Sequence, residues 1–137
     1  MFMSEQTFPA DVQYLDQVRE LVGEVARAAG FSEKGIYAVQ LAADEAASNI
    51  IEHAYEGRAD RTFRLHCVFQ KDRIVITFFD RGKSFDFTHV EEPDITANLS
   101  ERKVGGLGIF LMHKLMDEVD YKVAKTGNFL TLIKRKG

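Results

Sequence analysis

Partway along the chain the hydrophobic pattern changes from the spacing of helices to the alternation of strands. Residues 12–29 carry apolar side chains three and four positions apart, and Gly30 ends that pattern. A second helical pattern starts after Ser32, a favourable N-cap residue, and runs to about Glu56, just before Gly57. The sequence therefore begins with two predicted amphipathic helices.

Alternation of apolar and polar residues predicts strands from Arg61 onward. The runs "TFRLHCVFQ" and "RIVITFFD" flank a tight connection at Lys71 and Asp72, which predicts a hairpin. "GGLGIFLMHKLMDEV" predicts a third helix, and "DYKVAKTGNFLTLIKRK" predicts a second hairpin that turns at Gly127 and Asn128. With a short strand near residues 4 to 8, we expect one α+β domain, its helices packed on one face of a mostly antiparallel sheet.

Composition narrows the classes of function. A chain of 137 residues with 45% hydrophobic and 28% charged residues is long enough for one globular core. Its net charge of −3 argues against coating nucleic acid or an anionic membrane, so we expect neither as a partner. Cys67, the one cysteine, lies in an apolar run and is expected to be buried. No apolar stretch approaches the length of a membrane span, and we expect a cytoplasmic protein.

The second helix carries a polar face opposite its apolar stripe. That face contains Glu45, Asn49, Glu52, His53 and Glu56, and asparagine is a poor helix former. The simplest interpretation is a solvated surface. The alternative is a site: a carboxylate and an amide one turn apart suit Mg²⁺, and a carboxylate also suits a general base. His53 as a further metal ligand is the weaker hypothesis.

Two glycine motifs follow. Asp80 ends an apolar strand and Gly82 comes two residues later, which is either an ordinary turn or a place where a ligand amine and ring approach the backbone. Gly105, Gly106 and Gly108 stand where a loop becomes a helix, which is either a hinge or a cradle of backbone N–H groups for phosphate. In combination with the polar helix face, these motifs supply the parts of a nucleotide site.

In that order, the motifs resemble those of the Bergerat-fold (GHKL) ATP-binding domains, and in particular the small anti-sigma-factor serine kinases. "DEAASNIIEHAYEG" resembles the N box of the family, "DRGKSFD" its first glycine box and "GGLGIFLMHKLMDEVDY" its second. The resemblance covers nearly the whole chain, so it implies a Bergerat-type two-layer sandwich over residues 1–137.

The resemblance also implies roles for individual residues. Glu45 would be the general base, Asn49 would bind Mg²⁺, and Asp80 would accept the adenine amino group beside Gly82. The phosphates of ATP would be bordered, under a lid spanning about residues 86–104, by Gly105, Gly106, Leu107 and Gly108. Many relatives carry a threonine where this chain has Asn128, and an asparagine there is expected to contribute to the adenine pocket.

The function implied by the resemblance is that of an ATP-dependent protein-serine kinase. Such a kinase phosphorylates a serine of a small antagonist (anti-anti-sigma) protein and sequesters a sigma factor or another regulatory target as a homodimer. The alternative is a module of the same fold that acts by sequestration without phosphotransfer. Glu45 favours the kinase, because nucleotide binding alone does not need a base.

Overall fold

The computed structural model describes residues 2–85 and 106–137, and that part of the chain contains five strands and three α-helices. In chain order they are β1 (Phe2–Pro9), α1 (Leu15–Ala28), α2 (Glu33–Asn49), β2 (Thr62–Gln70), β3 (Arg73–Asp80), α3 (Gly106–Leu115), β4 (Glu118–Ala124) and β5 (Gly127–Arg135). A short 3₁₀ turn, Val12–Tyr14, precedes α1. The expected lid at 86–104 lies outside the described residues.

The strands form one sheet in the order β1-β2-β3-β5-β4, and every neighbouring pair is antiparallel. The β2–β3 hairpin turns at Lys71 and Asp72, as predicted, with φ angles of 52° and 64°. Two positive φ angles are typical of the type I′ turn, whose twist matches that of the flanking strands. The α+β prediction, with helices against an antiparallel sheet, is confirmed.

One hydrophobic core lies between the helices and the sheet. Alternate side chains of the strands face it, among them Leu65, Ile76 and Leu132, while Val22 and Val39 enter it from α1 and α2. Each of these five side chains is fully buried. Among the residues described, no helix is long and apolar enough to cross a membrane.

The second helix begins as predicted and ends differently. The Ser32 hydroxyl caps it by accepting a hydrogen bond from the Gly35 N–H at 3.1 Å. The α-helix ends at Asn49, and the chain continues as one π-helical turn, Ile50–Ala54, before Gly57 stops it with a φ of 78°. Asn49 therefore lies at a change of helix type, a position frequent at functional sites, rather than in the middle of an α-helix.

The turn of the second hairpin was predicted at the wrong residues. Lys125 and Thr126 form the turn, whereas Gly127 and Asn128 are the first two residues of β5. A Cβ on Gly127 would lie 2.5 Å from the Asp80 carbonyl oxygen. The glycine is therefore required by the close approach of β3, and the turn needs no glycine of its own.

Candidate functional site

Asp80 and Asn128 face each other across β3 and β5 and form a closed hydrogen-bond network with Gly82. The Asn128 Nδ2 donates to Asp80 Oδ1 at 2.9 Å and to the Gly82 carbonyl at 2.9 Å, and the Gly82 N–H donates to Asp80 Oδ1 at 2.8 Å. Asp80 is 4% exposed and Asn128 is 3% exposed. The strand register brings together three residues that the sequence predicted for one pocket.

The environment of Asp80 has opposing effects on its carboxyl group. Burial raises the pKa of Asp80 above its usual value, while the hydrogen bonds from Asn128 and Gly82 lower it and so offset part of that effect. A buried carboxylate with donors on one oxygen suits recognition of an uncharged ligand amine.

The loop after β3 packs tightly against the π-helical turn. A Cβ on Gly82 would lie 2.4 Å from the Ala54 carbonyl oxygen, so a larger residue has no space there. The same carbonyl accepts a hydrogen bond from the Lys83 N–H at 2.8 Å. The π-helical turn therefore fixes the position of the glycine loop, which sequence reasoning did not anticipate.

Two tyrosine hydroxyl groups, also not predicted, hold the ends of the same loop. The Tyr55 hydroxyl accepts from the Arg81 N–H at 2.7 Å and donates to the Thr62 carbonyl at 2.7 Å. The Tyr121 hydroxyl accepts from the Phe85 N–H at 3.1 Å. A signal existed in the sequence: a tyrosine at the end of an apolar stripe needs a partner for its hydroxyl once it is buried.

An open depression of about 340 Å³ lies beside this network. Its lining residues are Arg81, Gly82, Ser84, Val123, Ala124, Lys125, Thr126, Gly127 and Asn128. The two positions that the sequence singled out, Gly82 after β3 and Asn128 in β5, therefore border the same space. Its volume is within the usual range for small-molecule sites.

A second cluster joins α2 to the start of α3. A Cβ on Gly108 would lie 2.6 Å from Glu45 Oε2 and 3.5 Å from Asn49 Nδ2. Both polar side chains of α2 therefore lie beside the glycine-rich helix start. Of the other residues expected to border phosphate, Gly105 lies outside the described residues, whereas Gly106 and Leu107 begin α3.

Glu45 lies in a partly buried, negatively charged environment. Burial raises its pKa, and the charges of Asp44 and Glu52 raise it further. Asp44 in turn forms an ion pair with Arg19 of α1, which also contacts Asp16. A carboxylate whose pKa is raised is a stronger base than a solvated one, which suits proton abstraction.

Asn49 is 5% exposed, and its Nδ2 has no hydrogen-bond partner among the described residues. A buried amide without a hydrogen-bond partner costs free energy, so the Asn49 side chain is a candidate ligand-binding group. Rotation about the terminal side-chain torsion exchanges the amide nitrogen and oxygen, so the same position can present an oxygen to a cation.

His53 does not join the cluster. Its Nε2 lies 3.9 Å from Glu52 Oε2, and its ring packs edge-on against Phe85 with the centroids 6.2 Å apart. Within the described ranges, no group of three or more histidine, cysteine, aspartate or glutamate side chains could hold a metal ion. A cation here would therefore have fewer than three such protein ligands and would also need oxygens from water or from a ligand, a set that Mg²⁺ accepts.

Comparisons with known proteins identify the family of the chain. A family model described as a histidine kinase-like ATPase domain matches residues 8–134. The serine-protein kinase RsbW of Halalkalibacterium halodurans is 34% identical over 124 residues, which cover 86% of this chain and 74% of the relative. RsbW of Staphylococcus epidermidis is 34% identical over 137 residues, which cover 95% of this chain and 84% of the relative.

A solved structure shares the fold. The crystal structure of the RsbU and RsbW domains of a Mycobacterium tuberculosis protein superposes with a TM-score of 0.70 at 18% identity, covering 99% of this chain and 33% of that one. The Bergerat-type architecture expected from the motifs is thereby confirmed. From the family model and the relatives, the chain belongs to the histidine kinase-like ATPases and, within them, to the ATP-using serine-protein kinases of the RsbW type.

Proposed function

We propose that this kinase phosphorylates a serine of a small antagonist (anti-anti-sigma) protein and sequesters a sigma factor or another regulatory target. Membership in the RsbW-type kinases supports the reaction class. The observation that most supports phosphotransfer is that Glu45 Oε2 lies against Gly108, at the start of the glycine-rich helix. A base beside a helix N-terminus lies where an acceptor hydroxyl and a phosphate would meet.

The residues present fit Mg²⁺ and ATP. Asn49, whose buried amide nitrogen has no hydrogen-bond partner within residues 2–85 and 106–137, would hold Mg²⁺. The backbone N–H groups at the start of α3 would face the phosphates. Asp80 would accept the adenine amino group. When bound, Mg²⁺–ATP supplies the phosphoryl group to be transferred and neutralises much of its charge. Glu45 would take up the proton of the acceptor serine.

The experiment follows transfer of label from ATP to the antagonist-like protein encoded nearest to this kinase, in the presence of Mg²⁺. Glu45→Ala and Asn49→Ala are expected to abolish transfer, because the first removes the base and the second removes the metal ligand. Glu33→Gln, an exposed position at the other end of α2, serves as the control and is expected to transfer label normally.

The outcomes separate the two functions. Transfer by the wild type that both site variants lose supports the kinase. Tight binding of the partner without transfer by the wild type contradicts it and supports the sequestration module. If calorimetry detects no affinity of the wild type for Mg²⁺–ATP, the nucleotide site itself is refuted.

We also propose that the kinase works in the cytoplasm, where ATP is available, and as a homodimer. Support for self-association comes from β1, an edge strand of the sheet whose apolar side chains Phe2 and Met3 are 44% and 59% exposed. Sedimentation equilibrium tests this, since a concentration-independent monomer mass would contradict the dimer. Met3→Glu is expected to weaken association without changing the fold.

A further inference from the structure

We propose that Arg73 and Arg135 together form a binding site for an oxyanion, a carboxylate or a phosphate group, on the face of the sheet turned away from the helices. The strand register pairs Arg73, the first residue of β3, with Arg135, the last residue of β5. Asp80 ends β3, so it lies about 23 Å from Arg73 in a strand of eight residues. The site is therefore separate from the proposed nucleotide site and does not depend on it.

Strand alternation places both arginine side chains on this outer face. In β3, Ile74 and Ile76 are fully buried against the helices, so Arg73 points to the other side of the sheet. In β5, Leu132 is likewise fully buried, and Arg135, three positions later, points outward. The Cα atoms of directly opposed residues in antiparallel strands are about 4.5–5.5 Å apart. Two guanidinium groups on such residues can contact one oxyanion between them.

Neither guanidinium group is neutralised by the part of the chain that the structure describes. The acidic residues beside the pair, Asp72, Asp117 and Glu118, form no ion pair with either group. The Asp117 carboxylate instead accepts a hydrogen bond from the Arg135 backbone N–H at 2.6 Å. Like charges directly opposite each other in a sheet are destabilising. The pair is therefore a local excess of positive charge in a chain whose net charge is −3.

The Arg73 Nε–H lacks the partner that a buried donor needs. The Nε atom is buried, and among the described residues nothing accepts its hydrogen. The residue as a whole is only partly buried, so rotation about the last torsions of its flexible side chain brings the Nε edge to the surface. The Nε and one Nη of a guanidinium group form a planar fork that matches two oxygens of a carboxylate or phosphate. An oxyanion bound there would satisfy the Nε–H and reduce the repulsion from Arg135.

The test is an NMR titration of the ¹⁵N-labelled full chain that follows the Arg73 Nε–H resonance while phosphate replaces chloride at constant ionic strength. We expect this resonance and the backbone amides of residues 73–75 and 133–135 to shift and to saturate. Shifts at residues 106–108 report the proposed nucleotide site separately, so failure of one site is distinguishable from failure of the other.

A second titration with an acetylated hexaglutamate peptide distinguishes the source of the oxyanion. Saturable shifts at the arginine pair with phosphate alone support a free anion as the ligand. Saturable shifts with the peptide alone support a carboxylate presented by a protein chain. If neither probe moves the Arg73 Nε–H resonance to saturation, screening of charge explains any remaining shifts and the inference is overturned.

Three variants complete the experiment. Arg73→Gln and Arg135→Gln are each expected to weaken binding about 10-fold or more, the usual effect of losing hydrogen bonds from a charged group. Arg135 is exposed, so this variant decides the question if Arg73→Gln fails to fold. Arg64→Gln is the matched control, because Arg64 lies on the same face but already contacts Glu5 and the Phe79 ring. It should bind as the wild type does, and equal losses in all three variants would contradict the site.

Discussion

Glu45 and Gly108 lie in direct contact where α2 meets α3, because a Cβ on residue 108 would stand only 2.6 Å from Glu45 Oε2. Real Cβ atoms do not approach an oxygen so closely, so any larger residue at position 108 would force the end of the Glu45 side chain to move. The start of α3 therefore accommodates the Glu45 side chain as well as the phosphates that we propose bind there. This contact defines the geometry of the proposed phosphotransfer site.

Substitution of this glycine should disable catalysis. In Gly108→Ala the new methyl group displaces the Glu45 carboxylate, and misplacement of a catalytic group by about 1 Å reduces the rate by about 100-fold. We expect kcat to fall by that amount in a labelled-ATP transfer assay. Gly23→Ala is the matched control: its Cβ meets the flexible end of Gln40, which can move aside. Normal activity of Gly108→Ala would contradict the role of this contact.

The pH dependence of transfer should report the environment of Glu45. A general base works when ionised, and burial together with Asp44 and Glu52 raises the Glu45 pKa above its ordinary value of 4.5. Activity should therefore decline on the acid side at a pH above that value. Asp44→Asn removes one of the charges that raise this pKa and is expected to shift the decline to lower pH.

Asp16→Asn is the control for that shift. Asp16, like Asp44, pairs with Arg19, but it does not contribute to the raised pKa of Glu45. The decline in the activity of Asp16→Asn on the acid side should occur at the same pH as in the wild type. An acid limb that stays in place in Asp44→Asn would count against Glu45 as the titrating base.

The fold followed from the sequence wherever local rules and packing agree. Alternation defined β2 and β3 to the residue, and Ser32 defined the start of α2. The prediction was wrong where a distant strand determined the local choice. The sequence predicts Gly127 as a turn residue, although the proximity of the Asp80 carbonyl requires a glycine there. A local sequence pattern cannot reveal such a contact, because Asp80 and Gly127 are 47 positions apart in the sequence.

The candidate site was likewise predictable only in part. Motifs indicated Glu45, Asn49 and Asp80, whose residue types carry recognisable chemistry. The structural supports were not visible, because the Ala54 carbonyl and the Tyr55 hydroxyl act through contacts created by the π-helical turn. An i→i+5 hydrogen bond, such as that from the Tyr55 N–H to the Ile50 carbonyl at 2.9 Å, has no distinct hydrophobic period in so short a segment.

Removal of the Tyr55 hydroxyl should destabilise the protein. Tyr55→Phe leaves the Arg81 N–H and the Thr62 carbonyl without the partner that the hydroxyl provides, at a cost of about 1–3 kcal/mol in the free energy of unfolding. Urea denaturation measures this loss. Tyr37→Phe, at a side chain that is 65% exposed, should change stability by less than about 0.5 kcal/mol. Equal effects of the two substitutions would contradict the anchoring role.

Cys67 should resist thiol reagents in the folded protein. It is fully buried in β2, and burial raises the pKa of its thiol to about 12, so very little reactive thiolate exists at neutral pH. We expect labelling to be slow in buffer and rapid in denaturant. Fast labelling of the native protein would show that β2 opens locally, contrary to its fully buried position.

Asp80→Asn should stabilise the protein without nucleotide while abolishing ATP binding. An asparagine oxygen can still accept from the Asn128 amide and the Gly82 N–H, but it carries no charge whose burial costs free energy. Its amide nitrogen, in place of the second carboxylate oxygen, would meet the adenine amino group as donor against donor. We therefore expect a higher Tm for the variant and no detectable calorimetric binding of ATP.

The sign of the pH effect makes this last prediction specific. The folded-state pKa of Asp80 is raised above its ordinary value of 3.8, so the folded wild type binds the proton more tightly than the unfolded chain. As pH rises through the interval between the two pKa values, the wild type loses stability that the variant does not lose. The stability advantage of Asp80→Asn should therefore grow over this interval and stay constant at higher pH. Urea titrations at several pH values test this, and an advantage that shrinks as pH rises would contradict it.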